Sequence, residues 1–397
     1  MRVDARSIAA ALAFGAAAAS IAYTGFAVIR LVGFGRRVRA HRRRTRFGRD
    51  SVPLSISPRP SITILKPVRG LERELEPNLR SFCVQDYPAF DVVLGVRDPD
   101  DLAVPVLRRL AAEFPGRVTA VAGDGTARCR NPKIATLLPM IEHATGDVLV
   151  IADSDMRVTP DYLDAVAAAF MDPRAGAGTA IYRGEPADFD LASALGAMWI
   201  TEQFAPSVLV ATALESLTYC FGSTMAVRRT VLDTMGGLAP LGDHLADDHR
   251  LGMLVTALGH TVALMPYVVE NVVAEDGLRG LVEHEVRWAR TIRGVRPASY
   301  PGILLTYPVP LALAAFALAR RKRRSRVLLT IAMVARLCLH AAAHASLGTR
   351  AWRRTPPRLV HLRDVLGVTV WALGLCGRSV HWRADALSVA RDGKLAG

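Results

Sequence analysis

The stretch Val148-Leu149-Val150-Ile151-Ala152-Asp153-Ser154-Asp155 constrains the fold more than any other part of this chain. An apolar run ends abruptly in two carboxylates spaced i, i+2. A run apolar at every position, rather than at alternate ones, reads as a strand buried on both faces, in the middle of a sheet covered by helices. Open α/β sheets bind their ligands at the carboxyl ends of such strands. Two carboxylates placed there suit a hard divalent cation, which takes oxygen ligands and bridges readily to phosphate. Asp and Ser also end strands without any chemistry, and an isolated Asp-x-Asp occurs by chance in many chains. The apolar strand in front of it is what gives this pair weight.

The flanking sequence alternates strand and helix patterns. Residues 62–65 read as a strand cut by Lys66-Pro67, residues 75–85 as a helix, and Phe90–Val96 as a second strand ending at Arg97-Asp98. Residues 104–114 read as a helix, Val118–Ala122 as a third strand, 134–143 as a helix and 147–152 as the fourth strand. The alternation predicts an α/β domain with a mainly parallel sheet and covering helices.

The chain carries 50 Lys and Arg against 36 Asp and Glu, a net charge of +14 over 397 residues. Where the charge sits decides what it means. Arg36, Arg37, Arg39, Arg42, Arg43, Arg44, Arg46 and Arg49 follow an apolar run at 8–29, and residues 320–326 follow another at 302–319. No aromatic residues interleave with these blocks as a base-stacking platform requires. A membrane surface is therefore the expected partner, and nucleic acid is not. Residues 8–29 are long enough to cross a bilayer, and the basic block follows rather than precedes them, so the segment reads as a retained anchor. The positive-inside rule then puts the next domain in the cytoplasm. Much Ala and Arg with little Lys is the composition of a GC-rich bacterial genome, which makes the membrane the bacterial inner membrane. Further apolar segments lie at 302–319, 327–347 and 365–377. Spanning by 302–319 would put the basic residues behind it outside, and Pro308 and Pro310 suit a broken or re-entrant helix; of the two, spanning is the expectation. The expected layout is an anchor at 1–34, a basic linker with Pro53, Pro58 and Pro60 at 35–60, a cytoplasmic domain at 61–300, membrane helices at 301–380 and a tail at 381–397. The five cysteines, Cys83, Cys129, Cys220, Cys338 and Cys376, show no Cys-x-x-Cys pair, against both a disulfide scaffold and a zinc site.

Other polar clusters each have a plain reading beside a chemical one. Asp98, with Pro99, Asp100 and Asp101, is on its own a polar turn. In Asp243-His244-Leu245-Ala246-Asp247-Asp248-His249-Arg250 the acids suit a helix N-terminus, or else provide a general base whose pKa its neighbour raises. The segment from Glu283 to Arg290 reads as an amphipathic interface helix; Trp288 stands where a zinc-protease helix would need His. Arg287 there also matches a diphosphate. His340 and His344 share a helix face, but without a second such pair, packing or headgroup contact is expected rather than metal or haem.

Taken in order, Lys66-Pro67, Gln85-Asp86-Tyr87-Pro88, Val96-Arg97-Asp98 with Asp100-Asp101, Asn131-Pro132-Lys133-Ile134, Asp153-Ser154-Asp155, Gly236-Gly237, Ala246-Asp247-Asp248 and Arg287-Trp288 resemble the ceramide glucosyltransferase family. These are membrane glycosyltransferases of the GT-A type. The resemblance implies an α/β GT-A-like domain with flanking transmembrane helices. It implies that Asp98 binds the nucleotide, that Asp153 and Asp155 hold a metal-bound diphosphate, and that Asp248 is the catalytic base. Lys66, Lys133, Arg287 and Trp288 would join Asp98 and Asp153 in binding the donor, with Asp247 in a supporting role. The family pattern has Gln or Arg three residues before Arg287, and here His284 stands there. That departure, with the segment from His284 to Arg293 and Ile151-Ala152-Asp153-Ser154-Asp155, is similar to the bacterial hopanoid-biosynthesis branch. Enzymes of that branch are thought to place N-acetylglucosamine on bacteriohopanetetrol.

The implied reaction moves a sugar from a UDP-sugar to the hydroxyl of a hopanoid or a ceramide, assisted by Mg²⁺ or Mn²⁺. No nucleophilic Ser or Cys motif is present, so one direct displacement with inversion is expected. A processive polysaccharide synthase would carry Gln at position 284 and a larger helical bundle. A nucleotidyltransferase would release pyrophosphate rather than UDP. A non-catalytic nucleotide-sugar receptor would need no base at Asp248.

Overall fold

The computed structural model describes residues 5–48, 59–319, 322–377, 379–382, 385–389 and 394–396. Pro53, Pro58, Arg49, Arg320 and Arg321 lie outside these. The chain divides into two compact units that interleave along the sequence. One comprises residues 37–182, 216–272 and 389–397, and the other residues 1–36, 183–215 and 273–388. The second thus draws residues 183–215 and 273–300 out of the stretch expected to form the central domain.

The first unit is built on one sheet. Its strands are β1 (Ile62–Val68), β2 (Phe90–Val96), β3 (Val118–Ala122), β4 (Val148–Ile151), β5 (Met156–Arg157), β6 (Ala175–Pro186), β7 (Met225–Arg228) and β8 (Thr261–Val273). Their order is β3-β2-β1-β4-β7-β6-β8-β5. β1 to β4 are parallel, while β7 is antiparallel to β4 and to β6. This is the mixed, mainly parallel sheet of a GT-A-like domain.

Strands buried on both faces feed two cores, and the side-chain alternation of a strand divides them. Ile62, Ile64, Val92, Leu94, Val148 and Val150 pack into one core with helices Leu75–Cys83, Val104–Glu113 and Tyr162–Ala169. Leu65, Val93, Leu149 and Ile151 pack into the other with helices Pro132–Met140 and Asp247–Ala257. This is why Val148–Ile151 is apolar at every position.

Lys66-Pro67 does not cut the first strand; β1 runs on to Val68. Its pairing with β4 ends at Leu65 opposite Ile151, while pairing with β2 continues through Pro67 opposite Gly95. Pro67 therefore sits where β1 has a neighbour on only one side, which a residue without an N–H tolerates.

In the second unit two helices among the described residues are long and apolar enough to cross a membrane, the N-terminal one and Arg323–Leu347. The protein is membrane-associated on this evidence. The N-terminal helix runs from Ala5 to Gly48 without a break, so the basic block up to Arg46 rides on the same helix as the apolar run. Segments Tyr300–Thr306 and Pro308–Leu318 meet at 84°, a broken span or a re-entrant turn. Pro308 starts the second segment, where a missing N–H costs nothing. Helix Val360–Gly374 has 15 residues and, at about 1.5 Å each, falls short of a 30 Å hydrocarbon layer. Ala17 of the N-terminal helix packs with Val309, Ala312, Ala315, Leu328 and Ala332.

Candidate active site

The site lies in the sheet-based unit, just past β4. Once Ile151 has paired with Met225, the chain turns and carries Asp153 and Asp155 beyond the sheet. The next strand, Met156–Arg157, pairs with Asn271 and Glu270, and this anchors Asp155 from behind. Asn271 Nδ2 donates to Asp155 Oδ2 at 2.7 Å, and the amide of Val272 donates to the Asp155 carbonyl at 2.9 Å. Asp155 Oδ1 is buried and accepts no hydrogen bond. Burial, reinforced by Glu72 and Asp153, pushes the Asp155 carboxyl up to about 7. Between the two aspartates, Ser154 Oγ donates to Glu72 Oε2 at 2.6 Å.

Two lysines meet Asp153 from opposite sides. Lys66 is fully buried on β1, donates to the Asp153 carbonyl, and lies 3.8 Å from the centroid of the Phe82 ring. Burial pulls its ammonium down to about 7 against Asp155, Asp153 and Glu72. Lys133 Nζ is 2.6 Å from Asp153 Oδ1 and 3.5 Å from Asp247 Oδ2. For Lys133 burial is overcome, and Asp153 and Asp247 hold its ammonium above the ordinary value. Its position follows from local sequence. Asn131 Oδ1 accepts from the amides of Lys133 and Ile134 and so caps the helix, while Pro132 occupies the first turn. Asn131 Nδ2 then donates to the His244 carbonyl at 2.8 Å, which ties this cap to the loop before Asp247.

Asp247 and Asp248 open the helix Asp247–Ala257 and face different surroundings. Asp247 is 5 % exposed and turned to Lys133, and burial raises its carboxyl. Asp248 is half-buried; its Oδ1 accepts from the His249 amide at 2.7 Å. Burial, and next to it Asp247, push Asp248 up to about 7. The loop before β7 passes over this cluster at Gly222. A methyl group built there would lie 3.5 Å from Asp153 Oδ2, 3.6 Å from Asp248 Oδ2 and 4.0 Å from Lys133 Nζ. Carboxylates from two different segments thus converge on one small space that only a residue without a side chain leaves open. Its donors are carboxylate oxygens, and two residues beyond Asp153 the Oδ1 of Asp155 is uncommitted. That set fits a hard divalent cation of the Mg²⁺ or Mn²⁺ kind.

Asp98 is exposed after β2 and forms the expected turn, its Oδ1 accepting from the Asp100 amide at 3.0 Å. It also lines a cleft of about 180 Å³ with Arg97, Asp101, Pro132 and Thr136. Pro132 adjoins Lys133, so the cleft and the aspartate cluster share one helix start.

His284, Arg287 and Trp288 belong to the other unit, on the helix Gly277–Val295. Trp288 stacks on Trp199 at 4.8 Å and lies 4.1 Å from the His284 ring, and His284 Nδ1 is 2.9 Å from Glu275 Oε1. Four residues at the aspartate cluster carried no sequence signal of their own: Glu72, Asn271, Gly222 and Tyr182. Tyr182 has its phenol raised by burial and by Asp248, Asp153 and Asp155.

Among known proteins, ceramide glucosyltransferase 1 of Caenorhabditis elegans is 23% identical over 252 residues, 63% of this chain and 53% of that one. A ceramide glucosyltransferase of Gibberella zeae is 29% identical over 134 residues, 31% of this chain and 25% of that one. The chain spans about half the length of the first of these relatives. A solved mannosyltransferase from Pyrobaculum calidifontis, in complex with GDP-Man and Mn²⁺, gives a TM-score of 0.48 at 22% identity, covering 91% of this chain and 99% of that one. The model of glycosyl transferase family 21 matches residues 25–395, nearly the whole chain, and the chain therefore belongs to glycosyl transferase family 21.

Proposed function

We propose that this protein transfers a hexose from a UDP-sugar to a lipid hydroxyl, with inversion at the anomeric carbon. The reaction we favour moves N-acetylglucosamine from UDP-GlcNAc to bacteriohopanetetrol. One observation carries the reading: Asp153, Asp248 and Lys133 converge on the space over Gly222. The acceptor is inferred from His284 and the segment after it. A second reading, UDP-glucose to ceramide, is favoured by the relatives named above.

Asp153 and Asp155 would hold Mg²⁺ or Mn²⁺, which when bound supplies Lewis-acid stabilisation to the departing diphosphate. The protein's own groups do the rest. The cleft at Arg97 and Asp98 receives the nucleoside end of the donor. Lys133 adds positive charge where negative charge develops, and Lys66 holds the Asp153 backbone in place. Asp248 accepts the proton of the acceptor hydroxyl as that oxygen attacks the anomeric carbon. A carboxyl raised to about 7 is a stronger base than an ordinary one and suits that step near neutrality. Asp247 supports Lys133, while Arg287 and Trp288 keep the donor-binding roles that the family resemblance implies, with His284 in support. We take residues 61–300 as the catalytic region, facing the cytoplasm from the bacterial inner membrane, where UDP-sugars are made and the lipid acceptor is embedded.

Purified full-length protein is given UDP-GlcNAc or UDP-glucose with bacteriohopanetetrol or ceramide, and products are read by lipid mass spectrometry. N-acetylglucosaminyl hopanoid is the expected product. Glucosylceramide alone would replace the favoured acceptor, and no UDP release with any pair would leave the receptor reading. A reporter inserted after Gly123 is expected to be protected in intact cells; labelling from outside would overturn the orientation.

A further inference from the structure

We propose that Glu202, His340 and His344 form a second metal site, built for a borderline-soft divalent transition ion of the Zn²⁺ type. All three lie in the helical unit, and none belongs to the cluster around Asp153. One ligand atom from each lies within 4.8 Å of the others. Tetrahedral ligands about 2.1 Å from an ion stand about 3.4 Å apart, so small side-chain shifts close the site. His340 Nδ1 is 2.8 Å and His344 Nε2 3.4 Å from Glu202 Oε1. Glu202 and His340 are at most 1 % exposed and His344 is 6 % exposed.

The surroundings suit a metal site. Glu202 Oε2 is held by Arg336 Nη1 at 2.8 Å, which leaves Oε1 to face the imidazoles. The other ring nitrogen of His344 pairs with Thr349 Oγ1, the kind of outer contact that orients a ligating imidazole. His340 Nε2 is buried with no partner, so that ring keeps a nitrogen uncommitted. Glu202 rides on a π turn, Ile200–Phe204, between two α-helices. Such single turns are rare and are frequent at functional sites. Charge points the same way. In this buried network three carboxylates, Glu202, Glu285 and Asp364, meet two guanidiniums, Arg336 and Arg363. With both imidazoles neutral, the network lacks one positive charge, and the histidines converge at Glu202. Two nitrogens and one carboxylate oxygen select Zn²⁺ over the oxygen-seeking Mg²⁺ or Mn²⁺ expected at Asp153. An ion here would fasten the turn after Trp199 to the helix Arg323–Leu347, and Trp199 is the ring on which Trp288 stacks.

The test uses tag-free full-length protein in detergent, stripped with chelator and titrated with Co²⁺. One equivalent with visible d–d absorption is expected, with bound zinc in the untreated protein by elemental analysis. His340→Ala and His344→Gln should each weaken Co²⁺ binding at least 100-fold, while Asp153→Ala with Asp155→Ala keeps the absorption. Size exclusion and circular dichroism check that each variant is folded; if one is not, the other decides. Folded native protein that takes up no Co²⁺ overturns the proposal and makes a protonated imidazole the missing charge. So does a folded histidine variant with unchanged absorption.

Discussion

In the cleft under Gly222, Asp153, Asp155, Asp247 and Asp248 share two lysines, and burial raises three of these carboxyls. In the helical unit Glu285 and Asp364 lie as deep, and burial raises the Glu285 carboxyl as well, but each meets a guanidinium rather than a lysine. Arg363 reaches both oxygens of Glu285 at 2.9 and 2.7 Å, and Arg336 reaches Asp364 Oδ1 at 2.8 Å. Where the guanidinium forks over both oxygens, as Arg363 does at Glu285, it satisfies the carboxylate's geometry; Arg336 takes only Oδ1 of Asp364 and leaves its buried Oδ2 without a partner. A lysine is a point charge that leaves the second oxygen free, as Lys133 does with Asp153 Oδ2. Burial alone therefore does not separate a functional carboxylate from a structural one. Between Asp153 and Glu285, the type of cation and the oxygens it leaves over do.

The comparison breaks most decisively at Asp153. Asp153→Ala is expected to abolish transfer while the protein stays folded and membrane-bound, and metal-stripped native protein should be equally inactive. Steady turnover in either case would remove the cleft from the chemistry. Arg363→Met acts on the other region. It strands Glu285 in the interior, a cost of about 3–5 kcal/mol. For a chain this long, that corresponds to a drop of roughly 5 °C in the unfolding midpoint. Adding Glu285→Gln should recover much of it. A single variant as stable as the native protein would show that this pair is not the structural clamp described above.

Gly222→Ala sharpens the contrast further. A methyl group at 3.5 to 4.0 Å from its neighbours is in ordinary contact, and Gly222 is not among the glycines with positive φ, so the fold should tolerate it. Yet the methyl group fills the space on which the carboxylates converge. A loss of roughly tenfold or more in kcat/KM is expected, with stability within about 0.5 kcal/mol. Full activity would mean that the reacting groups do not pass there.

Much of this site was legible in the sequence because its residues stand at the ends of regular elements. Phe90–Val96 and Val118–Ala122 form the strands their patterns predict, and Asp98 follows the first of them. Asp153 is marked by the apolar strand before it. The misses have physical causes. Lys66-Pro67 looked like a strand end because nothing local says that β4 stops opposite Leu65. Gly222 and Asn271 act through antiparallel partners far along the chain, which periodicity does not see. Glu202 sits in a π turn, where the 3.6-residue pattern slips, and its partners His340 and His344 are more than 130 residues away. The interleaving of the two units was equally hidden, since residues 183–215 and 273–300 look like any other covering helices.

The finest test compares neighbours within the cleft, Asp248 and Asp247. Asp248 Oδ2 faces the space over Gly222, whereas Asp247 is turned to Lys133 and charges a helix N-terminus, a role worth about 0.3–1 kcal/mol. Removing a positioned general base costs about 10²–10⁴-fold in rate. Asp248→Asn, which keeps shape and removes basicity, is therefore expected to lower kcat at least about 100-fold with donor binding retained. Asp247→Asn should cost less, through the placing of Lys133, and should show in donor affinity more than in kcat. Single-turnover transfer measured beside donor binding separates the two outcomes. Equal losses of kcat would mean that the two carboxylates titrate as one coupled pair. A severe loss at Asp247 with near-normal Asp248→Asn would reassign the base to the buried member, and the contrast between free and committed oxygens would then fail inside the cleft itself.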